Sequence, residues 1–174
     1  AAEKGMVQGE AVSPSLQPVE ATPTATYQPV IVAVGATEDA AEIVNAAAMI
    51  ARDAGRPLEV VHVRETAVVE EMAIDAEDAE QAQSAVLCHL DRLAAQGIAA
   101  TGQVLTSVGD HAAAGRVLAQ HADDVDARVI AIGRSPRGPG AQFADGSFTT
   151  AVTHAADRTV VLLEPGKAPY PVTA

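Results

Sequence analysis

The feature that most constrains this chain is an alternation. Short β-branched runs recur along it, and between them apolar residues return at helical spacing. Val30-Ile31-Val32-Ala33-Val34 carries no polar residue, as a strand buried on both faces requires. It ends at Gly35. Thr37 then fits an N-cap, with Glu38 and Asp39 in the first turn of a helix. Ala40, Ile43, Val44, Ala47, Ala48 and Ala51 line one face of that helix until Gly55 and Pro57 stop it. Leu58 to Val63 reads as a second strand. An acidic connector follows, then a helix over 76–96 that faces inward through Ala79, Ala82, Val86, Leu90 and Leu93. Residues 98–106 alternate in polarity, the pattern of a half-exposed edge strand. Asp110 is placed to cap a third helix, with Ala114, Val117, Leu118 and His121 inward. Ala127 to Ile132 and Thr159 to Glu164 complete five strands, with a fourth helix between them through Ala151, Val152 and Ala155.

This order predicts an α/β fold, a doubly wound five-stranded parallel sheet with helices on both faces, Rossmann-like. In such sheets a ligand lies beyond the strand C-termini where the winding reverses. The runs ending in Gly35 and Gly133 are the most apolar and are expected at the centre, so their loops would face one another across a crevice. With 48% hydrophobic but only 2% aromatic residues, the core must come from Val, Ile, Leu and Ala. Three parts are expected: a flexible, proline-containing arm over 1–28, one α/β domain over 29–165 and an irregular tail over 166–174.

Charge and cysteine content narrow the function. A net charge of −12 with no Lys/Arg cluster argues against a nucleic-acid partner. Cys88 is the single cysteine, so no intrachain disulfide forms. No apolar run approaches the roughly 20 residues of a membrane helix, and the N-terminal stretch lacks a signal peptide's apolar centre. These point to a cytoplasmic protein without a membrane partner. His62, Cys88, His89, His111, His121 and His154 have no metal-site spacing, and they read as packing, helix-end or surface residues. No base, nucleophile and orienting group come together in the pattern, so the chain is not expected to be an enzyme, slow ATP hydrolysis aside.

The candidate site is the loop after Gly133. It holds Gly138, Gly140 and Gly146, Pro136 and Pro139, and Arg134 and Arg137, before helical sequence resumes at Ser147. A strand–loop–helix passage of this kind leaves backbone N–H groups and a helix dipole available to an anion. The span Gly133 to Gly146-Ser147 resembles the G-x2-G-x9-G-[ST] signature of the universal stress protein family, over about Pro29 to Glu164.

That resemblance implies strand order 3-2-1-4-5 and a homodimer made through the last strand, which would also cover an apolar edge at Val160 to Leu163. It implies ATP or another adenine nucleotide, with Mg²⁺ if bound. The implied contacts are Gly35 and Thr37 after the first strand and Val63 at the end of the second. In the loop they are Gly133, Arg134, Arg137 and Gly138, and at the last helix Gly146, Ser147 and Thr149. The chain departs from the family pattern at two positions. Pro136 stands at the second signature glycine and has no N–H to give a phosphate. Gly35 stands where ATP-binding members carry an acid, and Asp145 adds a negative charge beside the loop. A nucleotide-free dimer that serves as a protein-interaction module, with a protein partner still to be identified, is therefore the alternative reading.

Overall fold

The computed structural model describes residues 27–35, 38–75, 78–134 and 147–172. The chain runs β1 (Val30–Ala33), α1 (Ala40–Ala54), β2 (Leu58–Val69), β3 (Met72–Asp75), α2 (Ala79–Ala95), β4 (Ala100–Val108), α3 (His111–Asp124), β5 (Val129–Gly133), α4 (Ser147–Ala155), β6 (Thr159–Leu163) and β7 (Tyr170–Val172).

The five anticipated strands pair in parallel as β4-β2-β1-β5-β6, which is the expected order 3-2-1-4-5. The sheet is larger than expected, because two antiparallel strands join it and make seven in all, mixed rather than purely parallel. β1 and β5 are central and fully apolar where they pair, Val32 opposite Ala131. One core layer lies under α1 and α2, with Val44, Ala47 and Leu93 against Val30, Val32 and Val60. The other lies under α3 and α4, with Leu118, Phe148 and Val152 against Ile31, Ile130 and Val160. Small residues set the helix distances. A Cβ on Gly102 of β4 would run into Val86 of α2, and one on Gly115 of α3 would meet the α4 backbone.

Three boundaries differ from the sequence reading. The first helix starts at Ala40 behind Asp39, whose side chain makes no cap bond, and so Glu38 and Asp39 precede the helix instead of filling its first turn. Ala40 is also where burial begins. α2 starts at Ala79 rather than 76 because Asp78 and Gln81 form a reciprocal capping box, at 2.7 and 3.2 Å. The acidic connector is largely strand: β2 runs on to Val69, turns through Glu70 and Glu71, and returns as β3. Thr66 pairs with Val108 of β4 on one edge and Asp75 of β3 on the other. β3 therefore occupies the edge that β1 vacates when it ends, opposite Val61.

The tail is a further correction. Tyr170 to Val172 forms β7 on β6, although 166–174 is expected to be irregular. The apolar edge of β6 is thus covered by the same chain, and a twofold mate would have to meet β7. The tail is fixed by Tyr170, whose hydroxyl donates to Glu164 at 3.0 Å. That bond comes first in holding the Glu164 carboxyl below its usual range, with Lys167 and Arg134 adding to it. A carboxyl lowered by folding stabilises the fold above its unfolded pKa, and that stability is lost as pH falls through the folded value. Tyr170→Phe is expected to move the Glu164 titration upward, towards an ordinary carboxylate. Carboxyl-carbon NMR across acid pH measures this.

At the opposite end, Tyr27 and Gln28, which the sequence reading assigns to the arm, are tied to the sheet. Tyr27 donates to Glu59 at 3.2 Å, so the hydroxyl of Thr101, 3.0 Å away, donates to Tyr27. Gln28 donates to Asp126 at 2.9 Å. Helix α3 is held against β2 at both ends by histidine–carboxylate pairs. His121 meets Glu59 at 2.7 Å, and His111 meets both oxygens of Glu65 at 2.9 Å.

Candidate functional site

The adjacency of β1 and β5 brings their exits together. Ala33, Val34 and Gly35 from β1, Ile132 and Gly133 from β5, Val63 of β2 and Phe148 of α4 line one shallow crevice. The site is built from backbone and apolar side chains because β1 is buried throughout, β5 is buried from Ile130 to Ile132, and β2 is buried as far as Val63. Such walls suit a flat apolar ring, with specificity left to main-chain groups.

The exit of β1 is fixed by a side chain. His62 Nδ1 lies 3.0 Å from the carbonyl of Val34, and since a carbonyl only accepts, Nδ1 carries the proton. His62 is thus a packed strand residue, as its context in sequence suggests, and it orients the backbone leading into Gly35. At the β5 exit, Arg134 N–H donates to Leu163 at 2.9 Å, so the chain follows the sheet for one residue beyond Gly133. A Cβ on Gly133 would come within 2.8 Å of Ile43. Glycine here allows α1 to pack against the strand end.

Helix α4 begins at Ser147, which is exposed and has its first-turn N–H groups on the loop side. Thr149 is half-buried, and its carbonyl accepts from Thr153 at 2.7 Å. The guanidinium of Arg134 lies in the field of Glu164. Of the residues expected at the site, Gly35, Val63 and Gly133 share the crevice, Arg134 adjoins it, and Ser147 and Thr149 flank Phe148 at the start of α4. Thr37, Arg137, Gly138 and Gly146 lie outside the described residues, as do Pro136 and Asp145.

Sequence reasoning missed Phe148. Its signal was available: a large apolar residue directly after the helix-starting Ser147, in a chain with only two Phe. It also missed the Glu65–His111 pair, two residues beyond Val63 on the same face of β2. Among the described residues no group of three or more His, Cys, Asp or Glu is placed to hold a metal ion. Nor is any helix among them long and apolar enough to cross a membrane.

The same architecture occurs in solved proteins. A universal stress protein from Archaeoglobus fulgidus is 25% identical, superimposes with a TM-score of 0.59, and is matched over 78% of this chain and 93% of that one. A structure from the same organism in complex with dAMP is also 25% identical, with a TM-score of 0.59 over 79% of this chain and 98% of that one. A universal stress protein family member from Burkholderia pseudomallei is 18% identical, with a TM-score of 0.58 over 79% and 96% of the two chains. No curated protein sequence matches the chain. The sequence pattern of the Universal stress protein family matches residues 26–164, from the residue before Tyr27 to the carboxylate that closes β6. With the family's sequence pattern and the parallel strand order in agreement over that span, the chain belongs to the universal stress protein family.

Proposed function

We propose that this protein is a stress-response protein of the cytoplasm whose crevice takes an adenine nucleotide. The base lies against Val34, Val63 and Gly133, and the phosphate is directed to the start of α4. The observation that carries the reading is the meeting of Gly35 and Gly133 at the ends of neighbouring parallel strands, beside a helix start. The dAMP complex of the Archaeoglobus fulgidus protein supports it. The crevice walls offer backbone groups, aliphatic surface and the Phe148 ring, the kinds of surface an adenine ring packs against. Among the described residues they offer no carboxylate, so from these walls any Mg²⁺ would be held chiefly by the phosphates themselves. Binding, rather than turnover, is the role this lining supports.

Isothermal titration with AMP, and with ATP plus Mg²⁺, tests the proposal. Saturable heat is expected, and Ser147→Ala should weaken binding about tenfold, the worth of one hydrogen bond to a charged phosphate. Absence of heat at millimolar nucleotide would end it. In that case the second reading stands, a nucleotide-free dimer that binds other proteins. It is favoured by Gly35, which gives a ribose no side-chain acceptor. The dimer is proposed to form at the β7 edge.

A further inference from the structure

The large apolar side chains left exposed are clustered. Among the described residues they are Met49, Val68, Val69, Met72, Leu87 and Val108, and four of these six sit on the β2–β3 hairpin or beside it at the end of β4. Val69 and Met72 are a cross-strand pair. Val68 lies two residues beyond Thr66, the register partner of Val108, and so shares a face with Val108. Apolar side chains are thereby exposed on both faces of the hairpin, and exposed apolar surface gathered in one place marks contact sites.

Two further observations concern this hairpin arm. Its connection, Glu70 and Glu71, has both residues at positive φ, 50° and 68°. That geometry suits a two-residue hairpin and favours Asn-Gly, while two glutamates strain it. β3 pairs with β2 alone, so its other edge, on the crevice side of β2, has no strand partner among the described residues. An isolated hairpin is marginal in water. This one keeps a strained turn, exposed valines and an open edge together.

The charge around the arm selects the occupant. From Glu65 to Glu80 the chain carries seven acids, Glu65, Glu70, Glu71, Asp75, Glu77, Asp78 and Glu80, and no Lys or Arg. A second copy would set these acids against their equals, in a chain already at −12. We propose that the outer edge of β3 receives an extended segment of a partner protein, with apolar and basic side chains in alternation, as an added antiparallel or parallel strand. Main-chain bonds to the edge would give the affinity, Val68, Val69 and Met72 the apolar contacts, and the exposed Glu70 and Glu71 the selection for Lys and Arg.

The test uses the full chain and a labelled ten-residue peptide of alternating Lys and Val, followed by fluorescence anisotropy. Binding is expected, with loss of at least about tenfold when alternate peptide amides are N-methylated and cannot donate to the edge. The Glu/Val counterpart should not bind. Glu70→Lys with Glu71→Lys should weaken the Lys/Val peptide, and hydrogen exchange at the β3 amides should slow in the complex. Equal binding of the methylated peptide would reduce the arm to an acidic patch and overturn the proposal, as would no binding at all. Sedimentation showing self-association abolished by Met72→Lys would overturn it in favour of a second copy.

Discussion

Substituting Gly115 by valine is expected to destabilise the protein by about 3 kcal/mol or more, the upper range for forcing volume into a packed interior. A fall in Tm of roughly 10 °C would follow for a domain of this size. Helix propensity alone gives the opposite sign, since glycine within a helix costs about 1 kcal/mol relative to alanine. Packing decides. A Cβ at Gly115 would stand 2.6 Å from the carbonyl oxygen of Phe148, 2.9 Å from the Ala151 Cβ and 3.3 Å from the Val152 nitrogen. Two of those atoms are backbone, so no rotamer change relieves the clash and α4 itself must move. Even Gly115→Ala should therefore lower stability in thermal unfolding. Because α4 also carries Ser147 and Phe148, the nucleotide binding proposed above should weaken with it. A rise in Tm for Gly115→Ala would show that α3 and α4 are less closely apposed than described.

The second large effect is expected at Glu59. This carboxylate is 2% exposed, yet it lies on a central strand, held by His121 and Tyr27. Removing one member of a buried pair typically costs about 3–5 kcal/mol, because the other is left without its partner. His121→Leu, which leaves the buried Glu59 carboxyl without its histidine, should fall in that range in urea unfolding. Replacing both members by apolar residues should cost much less, since the attraction within such a pair is largely offset by its desolvation. Glu59→Leu/His121→Leu is thus expected to recover at least half of the loss. Equal instability of single and double variants would show that Tyr27, not His121, is the partner that matters. Burial is the main cause that raises the Tyr27 phenol above its usual pKa, so this residue remains a donor to Glu59 at neutral pH.

What could be read from the sequence follows from burial. β1 and β5 are covered on both faces, so every position is apolar and the runs stand out without knowledge of neighbours. The extension of β2 is exposed, and its turn is Glu70-Glu71 rather than a glycine pair, so local chemistry did not mark a hairpin. β7 is three residues long with Pro171 at its centre, and proline is a feature of edge strands and non-strands alike. At the site, glycines at strand ends announced the crevice because a close helix and an abrupt exit both leave traces in residue type. Phe148 did not announce itself. An aromatic residue on a helix face is ordinary core material until the sheet beneath it is known to end there.

The two histidine clasps on α3 act together as a gauge. Glu59 and Glu65 are six residues apart on a strand, about 20 Å, while His111 and His121 span ten residues of helix, about 15 Å. Side-chain reach absorbs the difference at one setting only. A helix slipped by a single turn could satisfy one clasp but not both. The helix is thereby denied the sliding freedom that smooth alanine-rich surfaces otherwise permit, and α4, seated on it through Gly115, inherits the same fixed origin of measurement.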